Sequence, residues 1–213
     1  LTDIMSDLGF IHRFIPAPKS PPARILLLLH GTGGNENDMI PLGRDLDPAA
    51  ALLSLRGNVL ENGMPRFFRR LAEGVFDEED VVRRANEMAD FIPAAAAKYE
   101  FDPATLTAVG YSNGANIAAS VFLLRPGAIK SAVLLRAMVP LTPAALPDLA
   151  GSRVMICSGT HDPIIPVANA ERLTTMLREG GAEVTLRLED AAHQLVFDEI
   201  AAAKKWLHES SRE

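Results

Sequence analysis

Cysteine is almost absent from this chain of 213 residues: Cys157 stands alone. One thiol forms no internal disulfide, so a disulfide-stapled fold is excluded, and a reducing, cytoplasmic setting is expected. Aromatic residues make up only 6%, with one tryptophan, which leaves little surface for stacking bases. There is no basic block, and the formal charge is −6. Counterion release from nucleic acid therefore has no source, and nucleic acid is not an expected partner. Long hydrophobic runs are missing too. The longest run of branched aliphatic residues is Ile25–Leu29, against about 20 residues for a bilayer span. No amphipathic stretch offers an anchor, so no membrane partner is expected. No histidine–carboxylate set has metal-ligand spacing, and neither metal nor cofactor is expected.

What remains is an ordinary globular composition, 48% hydrophobic and 23% charged, long enough for a single domain over residues 1–213. Apolar runs alternate with amphipathic stretches. Phe10–Pro16 alternates and ends in prolines, as an edge strand does. Arg24–Leu29, Thr105–Val109, Ser131–Leu135, Val154–Cys157 and Val184–Leu188 read as strands, and Ala51–Leu55 as a weaker one. Glu78–Tyr99, Asn113–Leu124, Val167–Arg178 and Phe197–Glu209 read as helices. Pro93 inside the first of these predicts a kink or break. Strands alternating with helices mean an α/β fold, a mostly parallel sheet covered on both faces. In such sheets chemistry collects just past the carboxyl ends of strands.

After Thr105–Val109 comes Gly110-Tyr111-Ser112-Asn113-Gly114 and then a helix. This is the G-x-S-x-G pattern of a nucleophile elbow, in which a tight strand-to-helix turn holds a serine hydroxyl at its tip. A serine needs a base. Of five histidines, only His193 follows both the serine and a post-strand acid on a loop at the active edge of the sheet, the order Ser, acid, His of this architecture; His208 falls on the polar side of the last helix. Asp162, after Val154–Cys157, is the favoured acid; Asp190 is its rival. The glycine-rich loop His30-Gly31-Thr32-Gly33-Gly34 follows an early strand. It points to the backbone N–H of Thr32 as one oxyanion donor, with that of Asn113 as the other. His30 then orients the loop and is not the base. Cys157, inside an apolar strand, reads as core and not as a nucleophile.

These segments resemble the phospholipase/carboxylesterase family of α/β-hydrolases, which includes acyl-protein thioesterases and bacterial carboxylesterases. The resemblance runs from about Arg24 to Leu207. It rests on L-L-L-L-H-G-T-G-G-N-E-N-D-M, G-Y-S-N-G, G-T-H-D-P-I-I-P and A-A-H-Q-L. Arg56–Arg70 is similar to a bacterial subgroup. One departure is Ala192, where the family usually has glycine before its histidine. The resemblance implies a sheet of about seven strands and ester hydrolysis through an acyl-enzyme. A small-molecule ester is the expected substrate; thioesters and lysophospholipids are the alternatives, and a non-catalytic binding protein is disfavoured by the intact Ser–Asp–His set. The sequence leaves room for a homodimer without requiring one. Met64, Phe67, Phe68, Met138 and Ile164 fall on loops at the active edge and are candidates to line an acyl site. Arg136–Ser152, rich in proline, is too short for a cap domain. An open cleft walled by Met64, Phe67 and Met138, suited to short or medium acyl chains, is therefore expected.

Overall fold

The computed structural model describes residues 4–5 and 8–209. In chain order it contains β1 (His12–Ile15), β2 (Ile25–Leu29), α1 (Ile40–Leu46), β3 (Ala51–Leu55), β4 (Val59–Glu61), β5 (Met64–Arg66), β6 (Arg70–Ala72) and β7 (Val75–Phe76). There follow α2 (Glu78–Tyr99), β8 (Leu106–Tyr111), α3 (Asn113–Leu124), β9 (Ser131–Leu135), β10 (Arg153–Gly159), α4 (Val167–Glu179), β11 (Glu183–Glu189) and α5 (Phe197–Glu209). Seven of the strands form one sheet in the order β1-β3-β2-β8-β9-β10-β11, all parallel except β1 on β3. This is an α/β-hydrolase-type fold.

The central strands are apolar on both faces because both faces are covered. Ile25, Leu27 and Leu29 of β2 pack toward α2, α3 and α4, while Leu26 and Leu28 pack toward α1 and α5. The strand order reverses between β2 and β8, where Leu29 sits opposite Gly110. That is the crevice at which ligands bind in open α/β sheets. The glycine-rich loop and the serine turn both leave the sheet there.

α2 runs unbroken over 22 residues with Pro93 inside it, so the break expected there does not occur. Pro93 lies on the exposed side, while Phe91, Ile92, Ala95 and Ala96 carry the buried face across it. That burial outweighs the missing backbone donor. Asp77 caps the helix, its carboxylate accepting from the Asp80 N–H. α1 and the hairpins β4–β5 and β6–β7 are too short to show a hydrophobic period in the sequence.

Candidate active site

The serine turn is dictated by close approach. A side chain at Gly114 would place its Cβ 2.1 Å from the Leu29 carbonyl oxygen, and one at Gly110 would come within 2.6 Å of the Gly114 backbone. Only glycine fits, so α3 can start directly against β2 and β8. Ser112, between them, is held at φ 52° and ψ −113°, outside the regions an ordinary residue prefers. Its N–H is tied to the Leu135 carbonyl at 2.8 Å.

Three side chains from three loops meet at this turn. His193 Nε2 lies 3.0 Å from Ser112 Oγ, and His193 Nδ1 lies 2.7 Å from Asp162 Oδ2. With Nδ1 protonated, the imidazole donates to the carboxylate and offers its other nitrogen to the serine O–H. Asp162 is fixed in turn: its Oδ1 accepts from the Ile164 and Ile165 N–H groups at 2.8 and 3.1 Å. Asp190 stands elsewhere, with an exposed side chain paired to His161 at 2.8 Å. A hydroxyl bonded to an imidazole that a carboxylate orients is equipped to attack an electrophilic carbon.

Thr32 and Asn113 line the same cleft. No hydrogen bond from the backbone N–H of either to another described residue is present. The Thr32 loop is braced by Gly33 N–H on the Pro65 carbonyl, 2.9 Å, and by Arg66 on Thr32 Oγ1, 2.7 Å. His30 donates through Nδ1 to the Gly31 carbonyl and accepts from the Gly57 N–H. Burial lowers its pKa, only partly offset by its bond to Gly31 and nearby carboxylates. It is a neutral strut for the loop. The Asn113 side chain accepts from the Phe67 N–H at 2.7 Å, and Asn116 accepts from the Met138 N–H at 2.9 Å.

The cleft has a volume of about 290 Å³. Met138 and Ile164 line it, as the sequence suggested. Phe67 and Phe68 do not: they are 2% and 0% exposed and belong to the core. Phe67 packs on the His30 ring, and Phe68 stands behind Phe76. Met64 lies beside Gly33, outside the cleft lining. The expected wall is replaced by Arg66 and by the β6–β7 hairpin, which contributes Arg70, Glu73 and Phe76. The reason is the fold of the two hairpins: they turn the polar residues of this segment to the cleft and both phenylalanines inward.

Two further residues hold His193. The Tyr111 hydroxyl donates to the His193 carbonyl at 3.1 Å. The fully buried Arg136, at φ 58°, donates through Nε to Ala192 O at 3.1 Å and through Nη2 to Gln194 O at 2.7 Å. The carbonyls on either side of the histidine are thus clamped by one guanidinium. Ala192 is not among the residues with positive φ, so alanine there carries no backbone strain. Cys157 is buried and its thiol pKa is pushed up to about 12, first by burial and then by Glu199, which leaves it inert.

Comparison with known proteins matches residues 11–211 to the phospholipase/carboxylesterase family. MhqD of Bacillus subtilis, provisionally named a hydrolase, is 49% identical over 192 residues, 90% of this chain and 96% of that protein. The Bacillus cereus carboxylesterase structure superposes with a TM-score of 0.93 at 48% identity, covering 96% of each chain. A carboxylesterase from Mesorhizobium loti gives 0.92 at 33% identity, covering 97% of this chain and 98% of that one. With the sheet, the serine turn and these likenesses together, the chain belongs to the phospholipase/carboxylesterase family of hydrolases.

Proposed function

We propose that this enzyme hydrolyses carboxylic esters of short to medium acyl chain through an acyl-enzyme on Ser112. The observation that carries the reading is the continuous hydrogen-bonded chain Ser112–His193–Asp162 at 3.0 and 2.7 Å. His193 Nε2 takes the serine proton as Oγ attacks the ester carbonyl. The negative charge that develops on the carbonyl oxygen is met by the N–H groups of Thr32 and Asn113. His193, now cationic and held by Asp162, returns the proton to the leaving alcohol as the C–O bond breaks. Water, deprotonated by His193, then attacks the acyl-enzyme, and the acid leaves as Ser112 regains its proton. Chain length follows from the cleft: about 290 Å³ holds a small acyl group, and methylenes that reach past it gain little of the roughly 0.8 kcal/mol of a buried one.

The test is a series of p-nitrophenyl esters from acetate to palmitate, run with wild type and Ser112→Ala, with fluorophosphonate labelling alongside. A kcat/KM maximum at short or medium chains, lost in the variant together with labelling, is expected. A maximum at palmitate refutes the chain-length reading, and hydrolysis surviving in the variant refutes the nucleophile.

A further inference from the structure

One wall of the cleft carries two guanidinium groups that share a single paired carboxylate. Arg66 is 3% exposed. One of its Nη groups donates to Thr32 Oγ1 at 2.7 Å, and its Nε donates to the Phe68 carbonyl at 3.3 Å. Its ion-pair partner is Glu61, at 3.2 Å. Arg70 binds the same Glu61 through Nε, at 2.8 and 3.1 Å. One carboxylate therefore serves two guanidinium groups. Among the described residues, the second Nη of Arg66 and both Nη groups of Arg70 have no hydrogen-bond acceptor. Both residues line the cleft that contains Ser112.

Burying a guanidinium is costly unless something accepts from it, and the free Nη groups here are met only by water in the cleft, which an entering anion can replace. The cost is visible in Arg66, whose pKa burial holds below the usual arginine value, with Arg70 adding to the effect and Glu61 opposing it. A carboxylate matches the planar fork of such a group and gives short, charge-assisted bonds.

The placement says which part of an ester this is. The leaving oxygen has to stand beside His193 Nε2 to receive its proton. Arg66 stands at Thr32, on the side of the developing oxyanion. The acyl chain is the part left free to turn toward the two arginines. Resting on the ester-hydrolase reading above, we propose that Arg66 and Arg70 form a carboxylate subsite and that the preferred substrates are monoesters of short dicarboxylic acids. Glu73, exposed on the hairpin turn and lining the same cleft, opposes such an anion and tempers the preference.

The experiment compares two esters with the same five-carbon acyl chain: the mono-p-nitrophenyl ester of glutaric acid and p-nitrophenyl valerate. The rate with Ser112→Ala is subtracted, which removes the half-ester's intramolecular background. The quantity read is the ratio of kcat/KM, charged over neutral, so a general loss of folding or turnover cancels within each variant. The ratio should exceed one in the wild type at low salt and fall as salt rises. It should drop about tenfold in Arg70→Gln, the weight of one charged hydrogen bond, and rise in Glu73→Gln. A wild-type ratio at or below one, or a ratio that Arg70→Gln leaves unchanged, overturns the subsite. If neither ester is cleaved in a Ser112-dependent way, the hydrolase reading itself has failed.

Discussion

Arg136 and Glu199 face each other as a two-pronged ion pair, at 2.6 and 2.9 Å, with neither side chain exposed. Glu199 also accepts from the Val196 N–H at the start of α5, 2.7 Å. The guanidinium spends its remaining donors on the Ala192, Gln194 and Cys157 carbonyls. One pair thus joins the end of β9, the histidine loop and α5. Arg136→Ala should cost about 3–5 kcal/mol in urea denaturation, because Glu199 is left buried and uncompensated. The double variant Arg136→Met with Glu199→Leu should recover most of that stability. It still lacks donors for the carbonyls beside His193, so kcat should stay low. Recovery of kcat together with stability would mean that the pair serves folding alone.

Ser112→Ala or His193→Ala should lower kcat by about 10³-fold or more, as loss of a unit acting together does. Asp162→Asn should be severe as well, since the amide can select the wrong tautomer of His193. Asp190→Asn should cost less than about tenfold, because that carboxylate pairs with His161 on the surface. Steady-state kinetics on p-nitrophenyl acetate decides it, and the reverse ranking of the two aspartates would move the acid.

Gly114→Ala should be among the most damaging single-methyl additions in the protein. Its Cβ would meet backbone, the Leu29 carbonyl oxygen at 2.1 Å, and not a side chain that can swing away. Gly151→Ala meets nothing within 4 Å and carries only the cost of its φ of 75°. Thermal melts of the two should differ by many degrees; equal melts would show that the turn yields far more than its packing suggests.

Asp80 gives the molecule an acid-sensitive component. Burial pushes its pKa up, but the Arg83 hydrogen bond, the Arg69 N–H at 2.7 Å and the charge of Arg84 outweigh it and hold it below the usual carboxylate value. A carboxylate with a depressed folded-state pKa contributes stability that is complete above the unfolded value, about 3.9, and is lost as pH falls through the folded one. The Tm difference between wild type and Asp80→Asn should therefore be largest near neutral pH and shrink below about pH 4. A constant difference from pH 3 to 7 would assign the loss to packing.

The sheet was legible because its central strands are apolar runs closed by a turn residue and its edge strands alternate, and even the weak candidate Ala51–Leu55 is a fully buried strand. Ser112, Asp162 and His193 were legible because each follows such a strand. The cleft wall was not. β4 to β7 are two or three residues each, too short to show a period. Phe67 and Phe68 look the same in sequence whether they face a ligand or a core; hairpin geometry alone turns them inward. Arg136 was missed for another reason: its partner Glu199 lies 63 residues away, and no local spacing links them.

The two sides of the cleft differ in how they are built. The serine, the histidine and their carboxylate follow parallel strands of the main sheet. The arginine-bearing wall belongs to hairpins outside that sheet. Exchange of the 69–77 segment would leave the reacting groups where they are. Arg66 differs from that segment: with Pro65 it is tied to the Thr32 loop, so the wall is free to vary at Arg70 and anchored at Arg66.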